Sequence, residues 1–161
     1  MPVAKITRHV RPEHVCVPLS ASTKEAAVAE LARRLSASGA IGAADADALT
    51  KEVLGREGEG TTGIGGGVAV PHAKTQLVEE LLVAVGLSDA GIDFASVDGD
   101  PVHVVFLIAA PQGAAAEYLA LMRWVVSLTR SRYWMKLVRA CTTPEALIDV
   151  LEESAAAGPA R

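Results

Sequence analysis

The chain has 161 residues, of which half are hydrophobic and only 4% aromatic, and its formal net charge at pH 7 is -4. This length can bury one substantial core, which must be built from Ala, Val, Leu and Ile. The acidic balance argues against a general nucleic-acid-binding protein. The two cysteines, Cys16 and Cys141, lie far apart and form no C-x-x-C pair. That usage argues against a disulfide scaffold or a cysteine-rich zinc site and is typical of a reducing compartment.

Neither targeting to the secretory pathway nor membrane insertion is indicated by the sequence. The N-terminal segment MPVAKITRHVRPE is basic and lacks the apolar stretch of a signal peptide. No other segment approaches the roughly 20 consecutive apolar residues that a membrane-spanning helix needs. We therefore expect a soluble cytoplasmic protein with no membrane insertion.

The first elements along the chain are predicted to be an edge strand and a helix. Residues 15–19 are β-prone, but Pro18 interrupts them, which indicates an edge strand or the end of a strand. Ser22 and Glu25 have the spacing of a capping box, so we expect the first helix to begin there. Gly39 is predicted to end it.

A second helix is predicted from about residue 44 to residue 57, with Gly58 just past its end. Arg56 then falls in its last turn. There a cation can simply complement the helix dipole, or its guanidinium can point at a group carried by His72. The local sequence does not choose between these two roles.

The stretch GREGEGTTGIGGGVAVPHA, residues 55–73, is the centre of the functional prediction. Its glycine density indicates backbone shapes closed to other residues, or backbone N–H groups that must approach a ligand closely. Residues 68–70 are predicted to end a buried strand, and Pro71 keeps the residue before it extended. We expect His72 at the strand end, beside exposed N–H groups of the glycine turn, as a site where a histidine handles an anion.

The glycine-rich stretch could also be a nucleotide-binding loop or a plain hairpin. A nucleotide-binding loop is rejected, because no G-x-x-x-x-G-K-[ST] motif is present and a valine, Val68 or Val70, stands where G-x-G-x-x-G requires its last glycine. A mobile hairpin loop followed by an incidental surface histidine is as compatible with the local pattern as an anion site is, since glycine-rich loops are common.

The second half of the chain alternates strands with turns. Apolar runs predict a strand over 81–87 and a short extended piece over 92–94. The D-G-D-P sequence at 98–101 is a strong turn signal. The run VHVVFLIAA at 102–110 predicts a central strand covered on both faces. His103, near its start, is more typical of a packed or solvated residue than of a ligand.

Three helices complete the pattern. The first is predicted over about 114–130, with its inner stripe formed by Leu119, Met122, Val126 and Thr129. The second, over 132–140, carries Tyr133 and Trp134, which we assign to the core.

The last helix starts at Thr143, as N-cap, with a proline and an acid after it. Residues 154–161, rich in Ala, Gly and Pro, are predicted to form a disordered tail after a domain spanning residues 1–153. The fold prediction is a single-domain α/β sandwich with a mixed, mainly parallel sheet of about five strands flanked by helices on both faces.

Several separated motifs together resemble one known family. The strings R-E at 56–57, T-T-G-I-G at 61–65 and V-A-V-P-H at 68–72 resemble the signature of the IIA components of the bacterial sugar phosphotransferase system. The type is fructose/mannitol, including the nitrogen-regulatory branch, which typically shows R-E followed by S-T-G-I-G-x-G-I-A-I-P-H. Later strings match in the same order, namely those at 91–94, 98–99, 101–102, 104–107 and 143–147. The resemblance covers roughly residues 5 to 152.

The resemblance implies a phosphotransferase component that works as a phosphohistidine carrier. His72 would accept a phosphoryl group from the phosphorylated histidine carrier protein, HPr, and pass it to a cysteine of a IIB partner. A neutral imidazole is a competent nucleophile near neutral pH. Arg56, the loop N–H groups around Gly63 and the Thr62 hydroxyl would stabilise the phosphoryl group with no metal, nucleotide or other cofactor.

Two positions depart from the family pattern. Many members carry a second histidine in an H-L pair at the start of the helix after the long strand, and the matching pair here is Tyr118-Leu119. Tyr118 can donate a hydrogen bond to a phosphoryl oxygen but cannot carry imidazolium charge. The strand position that usually holds aspartate is His103, a change for which the sequence offers no account.

Three functional hypotheses follow. The first is an active phosphocarrier for sugar uptake or signalling. The second is a regulatory module acting on a kinase, transporter or transcription factor, switched by phosphorylation or no longer phosphorylated; the missing second histidine and the lack of IIB or IIC sequence favour it. The third, a metal enzyme using His72 and His103, has no supporting ligand spacing. In either of the first two, we expect an apolar ring around His72 as the partner surface.

Overall fold

The computed structural model describes residues 8–157. A short 3-10 helix, Pro12–His14, leads into the first strand. The strands of this part of the chain are β1 Val15–Cys16, β2 Gly63–Gly65, β3 Val68–Ala69, β4 His72–Lys74, β5 Leu82–Ile92 and β6 Val102–Ala110. The helices are α1 Lys24–Ala37, α2 Asp45–Glu57, α3 Ala115–Leu128, α4 Arg132–Arg139 and α5 Pro144–Ala157.

The strands form one mixed sheet around β6. The order is β1-β5-β6-β3-β2, and β4 pairs with β6 beyond the end of β3. The β1–β5, β3–β6 and β4–β6 pairs are parallel, whereas β5–β6 and β2–β3 are antiparallel. The longest ladder, β5–β6, is therefore antiparallel within a sheet whose pairings are parallel in three cases of five. This confirms the predicted mixed sheet, with six strands in place of about five.

The core lies on both faces of this sheet. One apolar cluster packs the sheet against α3, α4 and α5, and the other packs it against α1 and α2. Strand β6 contributes alternate residues to each cluster, such as Phe106 to the first and Leu107 to the second, both fully buried. The nearly unbroken apolar run therefore forms the central strand as predicted, because neither of its faces meets water.

Helix α1 begins one residue later than the predicted capping box. Thr23, not Ser22, is the N-cap, and its hydroxyl accepts a hydrogen bond from the Ala26 N–H at 3.2 Å. Glu25 lies in the first turn of the helix, where its charge favours the helix dipole. At the other end Gly39 follows the helix with φ +82°, as its predicted stop.

Helix α3 buries a different face from the one predicted. Its buried residues are Leu121, Trp124, Val125, Ser127 and Leu128. Leu119 and Val126, from the predicted inner stripe, are 52% and 38% exposed. The predicted inner stripe is therefore wrong: Leu119 and Val126 form an exposed apolar face, and Met122 between them is only partly buried against the core.

The two aromatic residues of α4 also differ in burial. Trp134 is buried, whereas Tyr133 is 71% exposed, so only the first belongs to the core as predicted. At the end of the chain, α5 continues through Ala157, beyond the predicted domain boundary at residue 153. The remainder of the predicted tail lies outside the described residues.

None of the helices in residues 8–157 combines the length and the apolar character needed to cross a bilayer.

Candidate functional site

His72 is the first residue of β4 and lies opposite Ile108 of β6. The backbone before it is fixed by Pro71, whose carbonyl accepts the Ile108 N–H at 3.0 Å. The imidazole is half-buried, and its Nδ1 lies 2.8 Å from the carbonyl oxygen of Val70. Since a carbonyl can only accept, Nδ1 carries the proton, and in the neutral ring the lone pair is therefore on Nε2. No group in the described part of the chain hydrogen-bonds to Nε2.

The imidazole lines a cleft of about 510 Å³ at the carboxyl ends of β4 and β6. Its walls come from the last turns of α2, from β4 and from the first turn of α3. The lining residues are Glu52, Arg56, Glu59, His72, Ala73, Lys74, Ala110 and Tyr118. The structure thus brings together three residues that the sequence singled out: His72, Arg56 and Tyr118.

Arg56 lies in the last turn of α2, as predicted, and its side chain is half-buried. Its Nη1 donates a hydrogen bond to the Gly60 carbonyl at 3.0 Å, which holds the guanidinium at the side of the cleft. An anchored guanidinium that retains free N–H groups is suited to bind phosphoryl oxygens.

Lys74 is a second cation of the cleft, and sequence reasoning missed it. Successive side chains of a strand alternate between faces, so Lys74 lies on the same side of β4 as His72, while Ala73 between them is buried. Within residues 8–157 its ammonium forms no ion pair. The alternation in the P-H-A-K sequence could have revealed it.

Tyr118, where the resemblance leads one to expect a second histidine, packs against the His72 ring. The centroids of the His72 and Tyr118 rings are 5.5 Å apart, with an angle of 50° between their planes. Burial raises the pKa of the Tyr118 phenol above its ordinary value of 10.0, although the nearby Arg56 charge opposes this. The hydroxyl is therefore a protonated hydrogen-bond donor at any physiological pH.

Thr62 and Gly63, the other two predicted phosphoryl-stabilising residues, are not among the residues that line the cleft. The N–H and hydroxyl of Thr62 both donate to the Glu57 carboxylate, at 2.9 and 2.5 Å. The Gly63 N–H donates to the Thr61 hydroxyl at 3.0 Å. These donors are already used inside the protein, so they are not free to bind a group in the cleft.

The glycine turn is also separate from His72, which corrects the prediction that its N–H groups lie beside the imidazole. Gly65, Gly66 and Gly67 have positive φ angles of 92°, 65° and 81° and form the β2–β3 hairpin. The Gly67 carbonyl accepts from His103 N–H at 2.8 Å, at the start of β6, whereas His72 lies opposite Ile108 near its end. His103 and Ile108 are five residues apart along β6, which corresponds to roughly 17 Å between the glycine turn and His72.

His103 shares the glycine turn's end of the sheet. Its Nδ1 lies 2.9 Å from the Ser88 carbonyl oxygen, to which it donates. His72 and His103, the two residues of the metal-enzyme hypothesis, therefore lie beside opposite ends of β6. Across the described residues no group of three or more His, Cys, Asp or Glu side chains is placed to hold a metal ion.

A larger cavity, of about 850 Å³, lies beside α1 and the start of β5. It is lined by Arg11, His14 and residues 39–42, 77–80 and 82. None of the predicted site residues reaches it, so the smaller cleft at His72 is the candidate site.

Comparison with known proteins adds a family match to these observations. The family model described as "Phosphoenolpyruvate-dependent sugar phosphotransferase system, EIIA 2" matches residues 8–154. A nitrogen regulatory protein of Bradyrhizobium diazoefficiens is 36% identical over 146 residues, which cover 91% of this chain and 94% of that protein. The fructose-specific EIIABC component of Bacillus subtilis is 35% identical over 150 residues, 92% of this chain. The match spans only 23% of that longer relative.

Solved structures agree on the fold. The complex of enzyme IIA-mannitol with phosphorylated enzyme IIB-mannitol from Escherichia coli contains a chain that superposes with a TM-score of 0.74 and 19% identity. The superposition covers 89% of this chain and 97% of the other. At this identity the likeness establishes the architecture, and the site rests on the residues described above.

Proposed function

This chain belongs to the EIIA type 2 family of the phosphoenolpyruvate-dependent sugar phosphotransferase system, and from that membership we propose that it carries a phosphoryl group on His72. One observation carries the assignment. Nδ1 of His72 is held by the Val70 carbonyl, which leaves the Nε2 lone pair available in a cleft that also contains Arg56 and Tyr118.

In the proposed reaction Nε2 of His72 attacks the phosphorus of a phosphohistidine on the donor protein. The new N–P bond forms as the donor's N–P bond breaks, and the donor nitrogen keeps the electron pair. The transferred group is largely dianionic, so catalysis depends mainly on positioning and charge stabilisation. Arg56 and Lys74 supply positive charge, and the Tyr118 hydroxyl supplies a hydrogen bond.

The expected partner surface adjoins this cleft. Leu119 directly follows Tyr118 and is 52% exposed, and Val126, 38% exposed, lies two turns further along the same face of α3. We assign docking of the partner proteins to this exposed apolar face, because donor and acceptor must seat over His72 in turn and an apolar contact serves both.

The partners proposed for sugar uptake are an HPr-like phosphocarrier as donor and a IIB component, through its cysteine, as acceptor. The 35% identity to the fructose-specific EIIABC component supports this role. The family's chemistry places the chain between two proteins, so the cleft itself needs no sugar-binding groups.

The second candidate is a regulatory protein of the nitrogen-regulatory type, whose phosphorylation on His72 switches its binding to a regulated protein. The 36% identity to a nitrogen regulatory protein over nearly the whole of both chains favours it. So does Tyr118, because a phenol that replaces an imidazole reduces the charge available for onward transfer.

Phosphorylation is tested by incubating the purified protein with phosphoenolpyruvate, enzyme I and HPr. We expect an acid-labile, alkali-stable phosphoryl group on His72, seen by mass spectrometry and absent from His72→Ala. His103→Ala is the matched control and should be labelled as the wild type is. An unlabelled wild type would overturn the phosphocarrier assignment.

The two candidate roles are separated by the acceptor. Transfer of the label to a IIB cysteine supports the transport role. A partner that binds the wild type and whose affinity changes on phosphorylation supports the regulatory role. Binding that is insensitive to both phosphorylation and His72→Ala would support an interaction module that no longer uses the site.

A further inference from the structure

We propose that Glu57 is a positioning residue for the nucleophile: through Thr62 and Val70 it holds the His72 ring in the tautomer that leaves Nε2 free. Glu57 itself does not touch the cleft. The consequence for phosphoryl transfer rests on the proposed function, whereas the effect on the ring can be measured without it.

The first link joins helix α2 to the loop after it. The side chain of Glu57 is 3% exposed, and its carboxylate accepts the N–H and the hydroxyl of Thr62 at 2.9 and 2.5 Å. Lys24 Nζ, from α1, lies 3.3 Å from the same carboxylate. A buried carboxylate with three donors is a rigid anchor, because breaking any one contact leaves charge or a polar group unsatisfied.

The second link joins that loop to the residues before His72. The Thr62 carbonyl accepts the Val70 N–H at 2.9 Å, extending the β2–β3 pairing by one step. The Val70 carbonyl then accepts Nδ1–H of His72 at 2.8 Å. Pro71 lies between them and has a fixed φ, so the position of Val70 determines where its carbonyl points.

The end of this chain of contacts determines the chemistry of the ring. Among residues 8–157 the Val70 carbonyl is the hydrogen-bond partner of His72, and it can pair only with a protonated Nδ1. An imidazole released into water favours the opposite tautomer, with the proton on Nε2. Loss of the anchor at Glu57 would therefore move the proton onto the nitrogen that must attack phosphorus.

The test uses Glu57→Gln and the milder Thr62→Val, which removes only the hydroxyl. Thr62→Ser keeps the hydroxyl and is the conservative variant with which Thr62→Val is compared. Thr143→Val is the control, because it also removes a hydrogen-bonded threonine hydroxyl, one that accepts from the Ala146 N–H at 3.1 Å and lies outside this chain of contacts. The side-chain ¹⁵N shifts of His72 report its tautomer, and thermal unfolding verifies that each variant is folded.

We expect the wild type, Thr62→Ser and Thr143→Val to show the Nδ1–H form. Glu57→Gln should shift the population toward Nε2–H, and Thr62→Val should shift it less. The rate constant for phosphorylation at saturating phospho-HPr should fall about tenfold in Glu57→Gln, with KM within about twofold, because a small displacement of a nucleophile mainly affects the chemical step.

Unchanged ¹⁵N shifts in folded Glu57→Gln and Thr62→Val would overturn the proposal, as would an equal shift in Thr143→Val. The two proposals fail separately. If the wild type is not phosphorylated yet the variants change tautomer, the carrier function falls and the positioning role of Glu57 stands. If the wild type is phosphorylated and the variants keep both tautomer and rate, the carrier function stands and the positioning role of Glu57 falls.

Discussion

At the scale of single residues, Tyr118 distinguishes this cleft from one with two histidines. Its phenol packs 5.5 Å from the His72 ring, and burial raises its pKa. Tyr118→Phe keeps the packing and removes the donor. We expect phosphorylation to slow about tenfold, since one hydrogen bond to a charged group contributes about 1.5 kcal/mol or more. The measurement is the single-turnover rate with phospho-HPr.

The pH dependence of this residue follows from the direction of its pKa shift. A raised pKa means that the fold favours the neutral phenol. The phenol can therefore donate to a phosphoryl oxygen at every pH below its ordinary pKa of 10.0, and it loses this ability only as pH rises through the higher folded pKa. Absorbance at 295 nm should show a tyrosinate phase above the ordinary range that Tyr118→Phe lacks. A Tyr118 phase below pH 10 would contradict the structure.

Lys74 gives a second prediction at this scale. Its side chain is exposed, so solvent screens its attraction for a phosphoryl group, and we expect Lys74→Met to slow phosphorylation only about two- to fivefold. The effect should shrink in 0.5 M salt. Lys51→Met is the control, because Lys51 is an exposed lysine of α2 outside the cleft. Equal effects of the two substitutions would argue against a role for Lys74 at the site.

The predicted residues that the structure places in the cleft are those with local signals. His72 follows a strand and a proline, and Arg56 falls in the last turn of a helix with clear ends. Glu57 was noted in the R-E string but given no role, because its role depends on contacts across the fold. Lys74 was missed although strand alternation after His72 could have indicated it. The Glu57 carboxylate meets Lys24 of another helix, and Lys74 shares its cleft with α2 and α3.

At the scale of elements, the glycine turn shows how a motif can be recognised and still be misplaced. Its glycines and His72 are close in sequence, which suggested a single site. The chain between them, however, runs extended alongside β6. Gly67 is bonded to His103 near the start of β6, whereas His72 lies opposite Ile108 near its end. Extended chain covers about 3.3 Å per residue, so a short stretch of it spans most of a sheet.

Helix α3 was placed correctly, but its buried face was not. It is apolar on two sides, so helical periodicity alone fits both the buried residues, such as Trp124 and Val125, and the exposed ones. Only the packing partners decide between them. An exposed apolar face next to a candidate functional cleft is typical of a docking surface.

Leu119→Ser tests that surface. We expect KM for phospho-HPr to rise about fivefold or more while the rate at saturation changes little, because a contact outside the cleft contributes to binding and not to chemistry. Val97→Ser is the control, since Val97 is 76% exposed but lies beside the glycine turn. A fall in the saturated rate without a change in KM would contradict the docking role.

At the scale of the whole molecule, the class of fold was predictable because long apolar runs alternate with capped helices. The strand order was not, since β3 and β4 both pair with β6 through contacts between residues far apart in sequence. The sequence also did not predict that the two strand pieces, 81–87 and 92–94, belong to one strand, because the register of the β5–β6 ladder shifts between Leu87 and Ile92. Such irregularities arise from pairing and leave little trace in local composition.

The stability of the whole fold should depend on His14. This residue is 3% exposed at the junction of the 3-10 helix with the sheet, and burial lowers the pKa of its imidazole, with Arg11 acting in the same direction and Glu13 against it. The folded protein therefore resists protonation that the unfolded chain accepts near the ordinary value of 6.5. Stability is retained above that value and is lost as pH falls through it toward the folded pKa.

We expect the free energy of unfolding of the wild type to decrease between pH 7.5 and 5.5, with a slope from this one proton of at most about 1.4 kcal/mol per pH unit. His14→Gln should be less stable than the wild type at pH 7.5 but should show a shallower decrease. Urea denaturation at several pH values measures both slopes. His103→Gln controls for the loss of a half-buried histidine elsewhere, and equal slopes in the wild type and His14→Gln would show that burial of His14 does not govern the acid sensitivity of the fold.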